Sequence, residues 1–285
     1  MNANVEFRNG FRKPVAVLHL AAFFNSLDVF KFLIECGMNL RQPSAELYYP
    51  LHYAGLNNSL DIVRYILEKD PHEINESNQA PRCFICCAIR FNSTDVLQLL
   101  LEKGAKHCRE ADPLSMAMCL NQMDTFKMVY EASMRHHTDY SLLMKSIILR
   151  NESCVQYLLE SGEDPNYIAK DYQTALSLAC FTNQENIVKL LCNHIDIVDI
   201  DPNLKQKAAV HWICESKNPE IVRMVLAKGI DVNRRDQSGH SGPFYLCDAP
   251  NEDCTIDILE QLLHAGLDVN GEGVPILYEF VESLK

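Results

Sequence analysis

The residues best suited to metal or nucleophilic chemistry are the twelve cysteines and ten histidines of the chain. Their densest cluster is Cys83-x-x-Cys86-Cys87, and the chain also carries three possible ligands at nearby positions: His72, His107 and Cys108. A structural zinc site takes four ligands, commonly from two closely spaced pairs. Because only one such pair is present, we expect these cysteines to pack in a core rather than to bind zinc.

Other chemical motifs are weaker. The stretch Asp196-x-x-Asp199-x-Asp201 lacks the glycine and the closing glutamate of a calcium loop. The sequence Gly271-Glu272-Gly273 does not follow a strand in a βαβ unit, as a phosphate-binding loop would. His136 and His137 fall in a connector, where we expect solvent exposure. Spacing alone leaves a Cys/His nucleophile pair open, but no hydrolase, kinase or metalloprotease motif is present. We therefore predict no catalytic residues, no metal, no cofactor and no enzyme activity.

A sequence motif recurs along the chain and places the cysteines and histidines within repeated units. Leu51-His52-Tyr53-Ala54 is followed by Asn58-Ser59-Leu60-Asp61 and an apolar run, and similar strings recur along the chain. The position of Ala54 recurs at steps of 33, 34, 29, 30, 32, 34, 33 and 33. The equivalent residues are Ala21, Ala54, Ala88, Ala117, Ile147, Ala179, Ile213, Leu246 and Glu279. A period near 33 built from two helical segments is typical of a stacked repeat protein.

Each repeat reads as two helices. Ala54 and Gly55 are small, so we expect two helices to approach closely there. Ser59 is placed to cap the second helix. Asp61 lies in the first turn of that helix, where the helix dipole stabilises a negative charge. The second helix then shows an apolar face at helical spacing, formed by Ile62, Val63, Ile66 and Leu67.

These motifs resemble the ankyrin repeat, whose pattern is Thr-Pro-Leu-His-x-Ala, a second helix, then Gly-Ala-Asp-Val-Asn. The first half is clearest at residues 50–54 and 174–179, and the second at 161–166, 228–233 and 265–270. The resemblance covers the chain from about Pro14 to its C-terminus. It implies an all-α solenoid of stacked helix-turn-helix units with short hairpin loops. It also implies that His52 bonds to backbone in the turn region.

The resemblance predicts an N-terminal segment or cap at 1–13, eight repeats at 14–273, and a partial repeat or cap at 274–285. The steps of 29 and 30 predict shortened connections near Asp112-Pro113 and Met134–His137. In the eighth repeat, Cys247–Thr255 lengthens the turn between the two helices by about four residues. Insertions in repeat proteins map to loops and are often used for binding. Neutral sequence change in a surface loop would give the same insertion.

In ankyrin repeats the residues that end the inner helix look into a concave groove. The groove candidates here are Phe23, Phe24, Leu56, Arg90, Phe91, Leu120, Arg150 and Phe181, with Asn57, Cys119, Leu149, Thr182, Glu215 and Ser216 at equivalent places. Weaker candidates at the hairpin tips are Tyr48, Arg82 and Tyr172. Aromatic residues and arginine dominate binding energy at interfaces, so these side chains predict partner contact. A one-residue slip in register would instead pack them between inner helices, and Phe24 could pack on the N-terminal segment.

Charge is uneven. Residues 1–150 contain 16 basic and 16 acidic side chains, whereas residues 151–285 contain 10 and 22 and carry the whole net charge of −12. This balance disfavours nucleic-acid binding, which needs a basic surface. It favours a basic partner for residues 151–285, unless the acidity only keeps an extended protein in solution.

The scattered cysteines suit a reducing compartment, and neither a signal peptide nor an apolar run of about 18 residues is evident. We therefore predict a cytoplasmic monomer, or a protein delivered into a host cytosol, that does not bind membranes. The function predicted is a non-catalytic scaffold for a protein or peptide partner. Two alternatives are the recognition module of a larger effector or ubiquitin-ligase adaptor, and a structural assembly formed through the end faces.

Overall fold

A computed structural model describes residues 4–5, 15–45, 47–75, 83–106, 112–132, 141–170, 173–195, 207–246 and 252–270. The chain divides into two compact units, Met1–His137 and Thr138–Lys285. Several residues singled out above lie outside the described ranges: Arg82, His107, Cys108, His136, His137, Tyr172, Asp196, Asp199, Asp201, 247–251, Gly271–Gly273 and 274–285.

The first unit begins with a two-residue antiparallel ladder between β1 (Asn4–Val5) and β2 (Val15–Ala16). Helices then follow in pairs. They are α1 (Val17–Phe23) with α2 (Leu27–Glu35), α3 (Pro50–Leu56) with α4 (Leu60–Lys69), α5 (Phe84–Arg90) with α6 (Thr94–Glu102), and α7 (Pro113–Cys119) with α8 (Met123–Glu131). A short 3₁₀ helix, Pro71–Asn75, follows α4.

The second unit continues the pairing. Its elements are α9 (Leu142–Ile148) with α10 (Glu152–Glu160), α11 (Ala175–Phe181) with α12 (Glu185–His194), α13 (Ala209–Ser216) with α14 (Pro219–Leu226), and a 3₁₀ helix (Gly242–Leu246) with α15 (Glu252–His264). Apart from the two-residue ladder, the described chain has helices as its regular structure, which confirms the predicted all-α repeat fold.

Within each unit, like helices stack on like. We call the first helix of each pair the inner helix and the second the outer helix. In the first unit the inner helices pack in the order α1, α3, α5, α7, and in the second in the order α9, α11, α13 and the Gly242–Leu246 helix. The outer helices of each unit also pack on one another in chain order and form a second row. The described repeat anchors, from Ala21 to Leu246, are all buried in these rows.

Connection lengths follow the predicted steps. Fourteen residues separate Glu35 from Pro50 and also Glu160 from Ala175. Only ten separate Glu102 from Pro113, and ten separate Glu131 from Leu142. The two shortened connections predicted from the sequence are therefore confirmed.

Two details differ from the sequence expectations. The first helical element of the eighth repeat is a 3₁₀ helix rather than an α-helix. It packs so closely on α13 that a Cβ at Gly242 would lie 2.6 Å from Val210 Cγ2. The other difference is at Gly55, where a Cβ would meet nothing within 4 Å. The expectation that Gly55 is small to allow close helix approach is therefore wrong.

Buried histidines fix the turns that precede the inner helices. In His52, which is fully buried, Nδ1 accepts a hydrogen bond from the Tyr49 amide at 2.9 Å. His211 repeats this bond, with Nδ1 accepting from the Ala208 amide at 2.8 Å while Nε2 lies 3.1 Å from the His240 carbonyl. His19 Nε2 lies 3.0 Å from the Gln42 carbonyl. The backbone-bonded histidine that the resemblance implies is thus confirmed.

Asparagine closes five of the seven turns between inner and outer helices that the structure describes. Asn25, Asn58, Asn92, Asn121 and Asn183 all have φ between 52° and 54°, the left-handed region that asparagine tolerates better than most residues. The side chains of Asn25, Asn58, Asn92 and Asn183 bond to the next repeat. Asn58 Oδ1 accepts from the Val96 amide at 3.0 Å, and Asn58 Nδ2 donates to Asp95 at 2.6 Å.

These asparagines also correct the capping expectation. Ser59 occupies the N-cap position of α4 but makes no capping bond there. Its hydroxyl donates to the Phe23 carbonyl at 2.9 Å. Asn25 Oδ1 instead accepts from the Ile62 amide at 3.4 Å, so the polar group at the start of α4 comes from the preceding repeat.

Candidate protein-binding surfaces

The first unit places six groove candidates at the ends of its inner helices. Phe23 is the last residue of α1 and Phe24 follows it, Leu56 ends α3, Arg90 ends α5 with Phe91 next, and Leu120 follows α7. Successive ends are tied together. Asn57 Nδ2 donates to the Phe23 carbonyl at 2.9 Å, and the Asn58 amide donates to Ser93 Oγ at 3.2 Å. We call this set the inner-helix row of the first unit.

Several side chains of this row are open to solvent. Phe24 is 58% exposed, Phe91 52% and Leu120 43%. Phe23 and Leu56 are half-buried, and the rings of Phe23 and Phe24 meet edge to face with centroids 5.1 Å apart. Arg90 is exposed. Phe24 and Phe91 therefore do not pack between inner helices, contrary to the alternative of a shifted register.

Tyr48 is the hairpin candidate that the structure describes. It is half-buried, its ring centroid is 5.2 Å from that of His52, and its carbonyl faces His19 Nε2 at 3.2 Å. The other two hairpin candidates, Arg82 and Tyr172, lie outside the described residues.

The second unit carries the remaining two candidates. Phe181 ends α11 and is 69% exposed, the largest exposure among the large apolar side chains described. Arg150 follows the end of α9 with φ of 55°, and its guanidinium donates to the Thr182 carbonyl at 2.7 Å. Arg150 is exposed, and its bond to Thr182 holds its guanidinium beside the end of α11, where Phe181 lies.

Phe181 also lines a cavity of about 380 Å³ that lies within the second unit. Inner helices α11 and α13 form one wall, and the hairpin residues Asp236–Ser238 and Tyr245 form the other. Leu178 and Trp212 contribute apolar surface. The sequence analysis missed this cavity, although Leu178/Trp212 and Phe181/Glu215 are equivalent positions one period of 34 residues apart.

The cavity is rich in charged groups. Lys207 Nζ lies 2.8 Å from Glu215 Oε2 and 4.1 Å from the centroid of the Tyr245 ring. The Tyr245 hydroxyl donates to Asp236 Oδ2 at 2.6 Å. Asp236 Oδ1 accepts from the Ser238 and His240 amides at 2.8 and 3.0 Å.

These contacts set the protonation of the pair. Burial opposes ionisation of Asp236, but the hydrogen bonds from the Tyr245 hydroxyl and the two amides outweigh it, so the pKa of Asp236 is lowered. Burial, and then the hydrogen bond to Asp236, raise the pKa of Tyr245. Asp236 is therefore a nearly buried anion and Tyr245 a neutral donor at physiological pH.

The pKa values of three described thiols show whether these cysteines could act as nucleophiles. Burial raises the pKa of Cys154 to about 11, and it also raises the pKa values of Cys180 and Cys214. A reactive cysteine needs the opposite shift, because the thiolate is the nucleophile. Cys83 and Cys86 are buried, and Cys83 Sγ accepts the Cys86 amide at the start of α5. Within the described ranges, no three His, Cys, Asp or Glu side chains converge as a metal site would require.

The repeat geometry agrees with comparison to known families. The model of a family described as "Ankyrin repeats (3 copies)" matches residues 3–78 and 143–236, which together make up more than half of the chain. The chain belongs to the ankyrin repeat family. Each matched segment falls within one of the two compact units. Ankyrin repeats are protein–protein interaction modules.

Individual relatives are distant. A protein of Acanthamoeba polyphaga mimivirus named for its ankyrin repeats is 24% identical over 182 residues, which are 59% of this chain and 24% of that protein. One from Borreliella burgdorferi is 27% identical over 145 residues, covering 49% of this chain and 63% of that protein. The NF-kappa-B p105 subunit of Gallus gallus is 24% identical over 108 residues, 37% of this chain and 11% of that protein. The chain thus spans less than two thirds of each of these relatives.

Two solved structures share the fold. The ankyrin repeat domain of Bcl-3 matches with a TM-score of 0.61 and 18% identity, covering 74% of this chain and 97% of that domain. The second is a chain in the complex of a Bdellovibrio bacteriovorus predatory endopeptidase with an immunity protein. It matches with a TM-score of 0.50 and 20% identity, covering 62% of this chain and 97% of that chain. In the described part of this chain itself, no helix is both long and apolar enough to cross a membrane.

Proposed function

We propose that this ankyrin repeat protein is a non-catalytic scaffold that binds a protein or peptide partner through its inner-helix ends. In the ankyrin family these ends line the concave groove. The observation that carries the proposal is the exposure of Phe24, Phe91 and Phe181 at the ends of inner helices. Large aromatic side chains left in solvent on an ordered surface are typical of interface anchors.

Backbone anchoring of the surface supports the same proposal. The turn after α1 is bonded to Asn57 and Ser59 of the next repeat, and Arg150 is bonded to the Thr182 carbonyl. A surface that is already ordered loses little conformational entropy when a partner binds. The described cysteines are free thiols, which supports placing this binding in the reducing cytoplasm. Binding by a monomer is part of the proposal.

The test is affinity capture from a lysate of the source cells with a Phe24→Ala/Phe91→Ala/Phe181→Ala variant. We expect the partner retained by the wild type to be lost, because each interface anchor contributes ~2 kcal/mol or more, about 30-fold in affinity. The three rings are exposed, so the melting temperature should change little.

Phe32→Ala provides the matched control. Phe32 is 62% exposed but belongs to the outer helix α2, so its removal should leave capture unchanged. Equal capture by all three proteins would refute the inner-helix surface. A triple variant that loses ~3 kcal/mol of stability per substitution would show that these rings are core residues.

The relatives favour one second candidate. The mimivirus and chicken proteins are several times longer than the segments that match this chain. We infer, as an alternative, that the repeats are the recognition module of a larger effector or adaptor. Transcript mapping that extends the open reading frame into another domain would support it. Self-association through repeat ends is the remaining alternative, and a monomeric mass from light scattering at high concentration would oppose it.

A further inference from the structure

The cavity beside Phe181 has the dimensions of a site for one extended side chain. Its volume of about 380 Å³ is near the lower end of the range for small-ligand sites. A packed helix or strand of a partner needs more space than this. The occupant that fits is therefore a single long side chain presented by an extended segment.

The cavity walls suit an aliphatic stem that ends in a cation. Leu178, Phe181 and Trp212 line it with apolar and aromatic surface. Lysine and arginine lay their methylene stems along such surfaces. Their charged ends are attracted to the faces of aromatic rings, and the guanidinium of arginine also stacks on them.

The charged groups of the cavity leave room for one more cation. Glu215 and Asp236 are two anions, whereas Lys207 is the single cation among the described lining residues. Lys207 is already shared between Glu215 Oε2 and the Tyr245 ring. Glu215 Oε1 has no hydrogen-bond partner among the described residues, so a carboxylate oxygen remains available.

An acidic ligand fits this arrangement less well. It would have to displace Glu215 from Lys207 and would face Asp236, whose charge is held by three hydrogen bonds. Residues 151–285, which contain the cavity, also carry 22 acidic and 10 basic side chains. The field of this half of the chain attracts cations.

We propose that this cavity binds one lysine or arginine side chain of an extended peptide segment in the partner. The inference rests on the proposed scaffold function and specifies the chemistry that the scaffold recognises at Phe181. The basic side chain would lie along Trp212 and Phe181, with its charge at Glu215 and facing Asp236.

Trp212 provides a direct signal because it is the single tryptophan of the chain. The probes are two blocked heptapeptides, Gly-Ser-Gly-X-Gly-Ser-Gly, in which X is arginine or the neutral isostere citrulline. We expect the arginine peptide to change Trp212 fluorescence with at least tenfold tighter binding than the citrulline peptide. Equal responses to the two peptides would overturn the proposal without any variant.

Two variants should shift the affinity in opposite directions. Glu215→Gln removes the accepting anion and should lower arginine-peptide affinity about tenfold, to the citrulline level. Lys207→Gln removes the competing internal cation and should raise it severalfold. The matched control is Glu220→Gln, which removes the same charge from an exposed position on α14 and should have no effect beyond twofold.

The outcomes separate this inference from the scaffold function. A captured partner that is lost with Phe181→Ala but unaffected by Glu215→Gln would leave the scaffold function standing and refute the basic-side-chain site. A selective arginine-peptide response without any captured partner would support the site and count against the scaffold proposal. If Glu220→Gln lowers the affinity for the arginine peptide as much as Glu215→Gln does, the loss comes from the change in net charge, and the site is refuted.

Discussion

Gly242 is a residue at which the packing leaves no room for a side chain. A Cβ there would lie 2.6 Å from Val210 Cγ2 and 3.2 Å from both Cys214 Sγ and the Val210 carbonyl. Val210 and Cys214 are fully buried in α13, so neither can move aside freely. The close contact of the 3₁₀ helix with α13 thus depends on one missing methyl group.

We predict that Gly242→Ala lowers the free energy of unfolding by ~1–3 kcal/mol, the usual cost of overpacking a core. Gly55→Ala is the matched control, because its Cβ would meet nothing within 4 Å and alanine favours the helix by ~1 kcal/mol. Urea unfolding followed by circular dichroism measures both. Equal effects of the two substitutions would contradict the packing argument.

At the scale of the elements, each of the seven helix pairs whose connecting turn is described has a residue in left-handed conformation between its two helices. Five of the seven such turns use asparagine, while Arg150 and Lys217 adopt the same φ of 54–55° without the preference that asparagine has for it. The Asn58 side chain also reaches the outer helix of the next repeat, where it bonds to Val96 and Asp95. One residue therefore shapes a turn and caps a neighbouring helix.

The Asn58→Ala substitution should lower stability by ~2–3 kcal/mol, since it combines loss of a cap with a left-handed alanine. Lys217→Gly should raise stability by ~1 kcal/mol, because glycine adopts that conformation without strain. Urea midpoints of the two variants against the wild type give the test. A stabilising Asn58→Ala would show that the inter-repeat bonds contribute nothing.

At the scale of the whole molecule, each compact unit contains a buried histidine whose protonation opposes folding. Burial is the main reason that the pKa values of His19 and His211 fall below the ordinary 6.5. For His211, the His240 carbonyl and the charge of Asp236 offset part of this effect. His211 Nδ1 accepts the Ala208 amide, a bond that protonation of the ring would break, whereas His19 Nε2 faces the Gln42 carbonyl.

We therefore predict that stability falls as the pH drops from 7 to 5. The unfolded chain takes up protons near pH 6.5, before the folded chain does, so the histidine contribution is full above pH 6.5 and is lost on acidification. The slope is at most ~1.4 kcal/mol per pH unit for each histidine. Urea midpoints at several pH values measure it, and His211→Gln should flatten the slope. A midpoint that rises on acidification would contradict the assignment.

The sequence by itself determined the repeat period, the helix pairs, the shortened connections and the buried anchors. These features follow from patterns within one repeat, where apolar spacing and turn residues act on neighbours a few positions apart. Exposure of Phe24, Phe91 and Phe181 followed from the same register. Their role in partner binding stays a prediction.

Only the tertiary structure decided which polar groups pair between repeats. The sequence places Ser59 as a cap, yet its hydroxyl meets the Phe23 carbonyl and Asn25 takes the capping role. It also gives no account of Gly242, or of a cavity that joins Leu178 to Asp236 and Tyr245. Such contacts depend on how successive repeats stack, and residues far apart in the chain meet only once that stacking sets their distance and angle.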